Sequence, residues 1–139
     1  MPQENGTDEF VIIEKYFAPL TMSEPLAFGL TDDAAVLRVV PGEDLVVTTD
    51  TMVEGQHFSS QTAAGLVARK LLRVNLSDLA AKGAEPFAYT MALAFPRPPE
   101  TAWMARFAEG LFTAQTTFGC HLVGGDTDHT SGPLSISIT

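Results

Sequence analysis

Apolar and polar positions divide the chain into alternating helical and extended runs. Phe10, Ile13 and Phe17 recur at helical spacing after Thr7 or Asp8, either of which can cap a short helix, and Pro19 is placed to stop it. "AAVLRVV" (residues 34–40) and "LVVTTD" (residues 45–50) read as two strands of a hairpin turned by Pro41 and Gly42. Residues 62–84 carry Leu66, Lys70 or Leu71, Val74, Asp78 and Ala81 at steps of three and four among small alanines, which predicts a long helix ended by Gly83 and Pro86. "FAYTMALAF" (residues 87–95), closed by Pro96, Pro98 and Pro99, predicts a buried strand. The helical period returns over residues 100–118, with Trp103, Phe107, Leu111 and Phe112 near one stripe and Gly119 in the place of a C-terminal cap. "CHLVGGD" and "PLSISIT" predict two closing strands around a polar loop.

The order αββαβαββ, in which some strands are joined by crossover helices and others by hairpins, predicts an α+β fold: a mixed, mostly antiparallel β-sheet with helices packed on one face. The 139 residues suit a single domain with its own core. The chain stops at Thr139 within a strand-like run, and the expectation is a piece of a longer protein.

Composition narrows the partners. Apolar residues make up 45% and charged residues 18%, a globular balance. A net charge of −9, with eight Lys and Arg scattered along the chain, argues against nucleic acid and anionic membrane and favours cations. No basic segment followed by an apolar core opens the sequence and no apolar run reaches membrane-spanning length, so a cytoplasmic, soluble protein is expected. The single cysteine, Cys120, excludes an internal disulfide and a multi-cysteine zinc site and reads as a buried core thiol.

Carboxylates gather at the predicted element ends. Asp32 and Asp33 precede the first strand, Asp50 ends the second, and Asp126 follows Gly124 and Gly125. Each alone is an ordinary turn or capping residue. Asp78 is different, because Asn75, Ser77 and Asp78 interrupt a helix of Leu and Ala, with Asn75 and Asp78 three apart on one face; a solvated helix face is the alternative. Two carboxylates about 4 Å apart repel by roughly 1 kcal/mol in water and about 4 kcal/mol at an effective dielectric near 20, so a converging set would need cations. All-oxygen ligands point to Mg²⁺, Ca²⁺ or Mn²⁺, and "DTDHTSG" lacks the glutamate that closes a helix-loop-helix calcium site. Mg²⁺ takes few protein ligands and fills its shell with water and phosphate oxygens. No GxxxxGK[ST] or GxGxxG cradle is present, so a nucleotide would be held through metals and backbone.

"TDDAAVL", "TTDTMVEGQHF", "VNLSDLAAKGAEP" and "LVGGDT" together resemble the N-terminal domain of the thiamine-monophosphate kinases, in the superfamily of aminoimidazole ribonucleotide synthetase. The resemblance runs from about Glu9 to Thr139; the "DDAA" and "GGD" segments are shared across the superfamily, whereas "EGQHF" with "VNLSDLAA" is specific to the thiamine enzymes. It implies transfer of the ATP γ-phosphoryl group to thiamine monophosphate in one direct step with several Mg²⁺ ions. By that similarity Asp33, Thr48, Thr49, Asp50, Asp78 and Asp126 are metal ligands, Gly125 and Asp126 meet ATP, and His57 meets the substrate. It also implies a homodimer formed through the sheet. His57 would otherwise read as a loop histidine paired with a carbonyl.

Two departures stand out. The family carries Gly before the Asp pair where this chain has Thr31, whose Cβ disfavours positive φ, although its hydroxyl could add a ligand. Family members also carry a C-terminal domain, so little or no turnover is expected of these residues alone. The alternatives are a superfamily relative with another acceptor and a non-catalytic Mg²⁺-nucleotide-binding or dimerisation module.

Overall fold

The computed structural model describes residues 8–139. Its framework is a four-stranded sheet of β1 (Asp50–Val53), β2 (Ala88–Phe95), β3 (His121–His129) and β4 (Ser135–Ile138), in the order β1-β4-β2-β3. β4 runs antiparallel to both β1 and β2, and β2 runs parallel to β3. The sheet is therefore mixed and mostly antiparallel, as the element order predicts.

The topology explains why both long helices share a face. α2 (Ala64–Ala81) links β1 to β2 and α3 (Thr101–Phe118) links β2 to β3. Both connections step in the same direction across the sheet. Crossovers of one handedness that step the same way place their helices on the same side. β4 then returns antiparallel into the gap between β1 and β2.

Strand alternation meets that helical layer. Tyr89, Met91, Leu93 and Phe95 of β2 are buried, joined by Met52, Leu122, Ile136 and Ile138 from the other strands. Thr90 and Ala92 face away and stay exposed, so β2 is buried on one face only. From α2 come Ala64, Val67, Ala68, Leu71 and Leu72, and from α3 come Met104, Phe107, Leu111 and Ala114. Full burial of each Leu or Phe contributes about 1.5–3 kcal/mol. The stripe expected on α3 buries Phe107 and Leu111 and leaves only Phe112 about half exposed, whereas α2 is rotated from its expected stripe and leaves Leu66 about half exposed. The cause is a backbone contact between the helices. A Cβ on Gly110 would lie 2.6 Å from the Gly65 Cα, so the small-residue side of each helix turns inward.

A buried polar relay ties three segments together. Gln115, fully buried on α3, accepts from the Tyr89 hydroxyl at 2.7 Å and donates to the Leu20 carbonyl at 2.8 Å. Every group in that chain is paired, as burial requires. Tyr89 is held protonated by burial first and by the neighbouring Cys120 second, and burial pushes the Cys120 thiol from 9.0 up to about 11.

The N-terminal part departs from expectation. Asp8 caps α1 (Glu9–Ile12) by accepting from Phe10 N–H; Thr7, the alternative cap, lies outside the described residues. The helix then widens to a π turn over Ile13–Phe17 and tightens to a 3₁₀ turn over Ala18–Thr21 that contains Pro19. Ile12, Tyr16, Phe17 and Leu20 are buried, whereas Phe10 is 75% exposed. The expected hairpin of residues 34–40 and 45–50 is corrected. Of these residues only Asp50 belongs to a strand, and Val36, Val39, Val40, Leu45 and Val47 are exposed. Strand propensity records the fit of a side chain to a pleated, half-buried surface, and these residues have no sheet neighbour within the described chain.

Two outcomes follow from this packing. Gly110→Ala, which in an exposed helix would gain about 1 kcal/mol of propensity, should here lower stability by about 1–3 kcal/mol in urea unfolding, because the methyl meets Gly65 backbone. Cys120 and Tyr89 both have folded pKa values above their unfolded ones, so their contribution is fully present below the unfolded values and is lost as pH rises. Stability should fall from about pH 9, by up to about 1.4 kcal/mol per pH unit for each group releasing its proton, and Cys120→Ala should flatten the part between pH 9.0 and about 11.

Candidate functional site

β3 bulges at its start. Tyr89 pairs with Leu122 and Thr90 pairs with Gly124, which leaves Val123 as the extra residue and buries Leu122 and Val123 side by side. Immediately after the bulge Gly125 lies opposite Met91, and a Cβ there would collide with the Met91 carbonyl oxygen. Asp126 follows, exposed, opposite Ala92.

The segment before residue 34 closes over this stretch. Phe28, Gly29 and Leu30 all take left-handed backbone angles, with φ of 51°, 61° and 60°. Thr31 then has an ordinary φ of −103°, so its Cβ is accommodated and the turn is made by its predecessors. The Thr31 hydroxyl donates to the Phe28 carbonyl at 2.8 Å, and Asp33 N–H donates to Asp32 Oδ1 at 2.8 Å. Val36 N–H donates to the Leu26 carbonyl and anchors the far side.

Between these walls lies a pocket of about 470 Å³. Among the described residues Glu9, Asp32, Asp33 and Asp126 supply four carboxylates, and no Lys, Arg or His lines it. Thr90, Gly124 and Gly125 add a hydroxyl and close backbone, over an apolar floor that includes Phe17 and Leu122. Such a donor set suits a hard divalent cation, which uses one or two carboxylates and completes its shell with water or phosphate oxygens. Among the described residues no three Asp, Glu, His or Cys stand close enough to hold a metal by themselves.

The other expected ligands collect near the β1 edge. Thr48 donates to Asp78 Oδ2 at 2.9 Å, joining two residues thirty apart in sequence. Thr49 shares a 2.6 Å hydroxyl contact with Thr139, and Thr51 shares one of 2.7 Å with Ser137. Asp50 opens β1 opposite Ile138. Asn75 does not share the exposure of Asp78: it is buried, donating to the Leu71 carbonyl at 2.9 Å, and its Oδ1 has no partner among the described residues. Asp33, Gly125 and Asp126 thus share one pocket and Thr48 and Asp78 share one hydrogen bond.

His57 sits in a loop between β1 and α2. Gly55, at φ 85°, lets the chain reverse, and its N–H donates to the Phe58 carbonyl at 2.8 Å. His57 is exposed, and its Nδ1 accepts from Val53 N–H at 3.0 Å rather than pairing with a carbonyl. Glu9 and Thr90 in the pocket, and Lys70 beside His57, carry no sequence signal of their own; each is placed by the fold.

The chain matches the AIR synthase related protein family, N-terminal domain, over residues 31–139. It is 51% identical over 131 residues to the thiamine-monophosphate kinase of Caulobacter vibrioides, an alignment covering 94% of this chain and 37% of that protein. The crystal structure of the thiamine-monophosphate kinase from Stenotrophomonas maltophilia superposes with a TM-score of 0.71 at 44% identity, over 78% of this chain and 33% of that one. AaThiL complexed with AMPPCP and TMP superposes with a TM-score of 0.63 at 32% identity, over 66% of this chain and 29% of that one. The chain spans about two fifths of the length of the curated relatives it matches.

The collision at Gly125 makes a direct test of the pocket wall. Gly125→Ala should force β2 and β3 apart at Met91 and lower stability by about 1–3 kcal/mol, with amide shifts concentrated at residues 90–92 and 124–126.

Proposed function

The chain belongs to the AIR synthase related protein family through that family's N-terminal domain, and from that premise we propose that it is the ATP- and Mg²⁺-binding domain of a thiamine-monophosphate kinase. The reaction is transfer of the γ-phosphoryl group of ATP to thiamine monophosphate, giving thiamine diphosphate and ADP. The observation that carries this reading is the pocket itself, with four carboxylates and no cationic side chain among the described residues, and a wall of bare backbone at Gly124 and Gly125.

Phosphoryl transfer needs little side-chain chemistry beyond positioning and neutralisation of oxygen charge. Mg²⁺ ions, when bound, supply the charge neutralisation. Asp33 and Asp126 would hold them from the pocket, and Thr48, Thr49, Asp50 and Asp78 from the β1 edge. Gly125 admits the nucleotide's phosphates, because no side chain stands between them and the strand. His57 meets thiamine monophosphate from the loop after β1. No residue forms a covalent intermediate with phosphate in this scheme.

The remaining length of the curated relatives is read as a C-terminal domain that completes the site, so residues 1–139 alone are expected to bind but to turn over little. The exposed apolar run at Val36, Val39, Val40, Leu45 and Val47 supports a homodimer through the sheet, in which these segments gain strand partners. No helix among the described residues is long and apolar enough to cross a membrane. The cytoplasm, where ATP and Mg²⁺ are available, is the proposed location.

Thermal melting across a Mg²⁺ titration, with and without AMPPCP and thiamine monophosphate, tests the assignment. A ligand at a hundredfold excess over Kd stabilises the folded state by about 2.7 kcal/mol, several degrees for a domain of this size. The expected result is a Mg²⁺-dependent rise enlarged by both ligands and lost in Asp33→Ala and Asp126→Ala. A rise with nucleotide but none with thiamine monophosphate would favour another acceptor. A rise that survives both substitutions would overturn the pocket's role.

A further inference from the structure

His57 is held by three hydrogen bonds. Its N–H donates to the Val53 carbonyl at 2.9 Å, its Nδ1 accepts from the Val53 N–H at 3.0 Å, and its carbonyl accepts from Lys70 Nζ at 2.6 Å. A backbone N–H can donate only to an unprotonated ring nitrogen, so the proton of the neutral imidazole sits on Nε2. The ring is thereby a donor towards anything it meets through Nε2. That matches an acceptor such as a phosphate oxygen.

The two bonds to Val53 span four residues and set the shape of the loop. They do not set where the loop lies. Its entry is anchored by Glu54 N–H donating to the Leu134 carbonyl at 2.9 Å and its exit by Phe58 packed on the core, and between them Lys70, projecting from α2 thirteen residues on, takes the carbonyl of the histidine itself. Eight residues further along the same helix Asp78 accepts from Thr48, about 12 Å away along the axis. One rigid helix therefore fixes both flanks of β1: Thr48 on entry and His57 on exit.

We propose that Lys70 is a positioning residue for His57, fixing the loop of residues 54–58 against α2 so that the imidazole presents Nε2–H to an anionic oxygen of the substrate. This rests on the reading of His57 as a substrate contact. Lys70 is exposed and flanked by Arg69 and Arg73. Arg69 Nε donates within the helix to the Gly65 carbonyl, and the Arg73 guanidinium lies over the Phe118 ring, so of the three only Lys70 reaches the loop.

The test combines ¹⁵N-imidazole correlation spectra of the 139-residue chain with titration of thiamine monophosphate in Mg²⁺, using Lys70→Met, Lys70→Arg and His57→Ala, the last to assign the ring signals. Wild type is expected to show a single Nε2–H tautomer for His57. Lys70→Met should keep that tautomer, because Val53 N–H still meets Nδ1, but should shift the His57 ring signals at unchanged melting temperature and bind thiamine monophosphate roughly tenfold more weakly, the effect of one oriented hydrogen bond to a charged oxygen. Lys70→Arg should restore both. An unchanged ring spectrum in Lys70→Met overturns the positioning role, whatever the affinity does. A changed spectrum with wild-type affinity in both Lys70→Met and His57→Ala supports the positioning role and removes the substrate role of His57 instead.

Discussion

Gly125 lies so close to the Met91 carbonyl that the parallel pair of β2 and β3 admits no side chain at that point, and the geometry of the acidic pocket descends from it. With the strands this close, the bulge at Val123 has to be absorbed just upstream, which buries Leu122 and Val123 together and ends the apolar half of β3. After Gly125 the strand carries exposed Asp126, Asp128 and His129, with Thr127 half-buried between them. Asp126 is therefore a carboxylate at a sheet edge with backbone beside it, facing the turn that carries Asp32 and Asp33.

The turn itself holds backbone strain. Phe28 and Leu30 adopt left-handed angles that non-glycine residues ordinarily avoid, at a cost of order 1 kcal/mol or more each. Such strain persists where surrounding contacts over-determine it, and here the Val36 bond to Leu26 and the packing of Leu30 on the core supply them. The Cβ of Thr31 is accommodated for the same reason: the left-handed residues precede it. This strained turn carries Asp32 and Asp33 to the pocket that Asp126 also lines.

Much of the fold was legible because its signals are local. β2 is bounded by prolines and alternates cleanly, and α3 ends at Gly119 in the left-handed conformation that a terminal glycine allows. The faces of the helices were less legible, since Leu66 and Phe112 are apolar by type yet lie outside a contact decided by Gly65 and Gly110. Residues 34–47 failed in a different way: their β-branched composition states a preference that only a neighbouring strand can satisfy. Of the site, the aspartates and glycines could be nominated from sequence, but Glu9 and Thr90 could not, because they reach the pocket from elements with no chemical signature.

Among the described residues four carboxylates line a pocket that no Lys, Arg or His enters, while three of the chain's eight Lys and Arg residues, Arg69, Lys70 and Arg73, sit together on the outer side of α2. A protein that needed its own cations to offset those acids would place them within a few ångströms, where the interaction is strongest. Here they are used elsewhere: one braces a helix carbonyl, one covers Phe118, and one holds the His57 loop. Under the proposed function Mg²⁺ would balance the negative charge of the pocket, and its nucleotide phosphate oxygens would meet both the carboxylates and the bare backbone of Gly124 and Gly125.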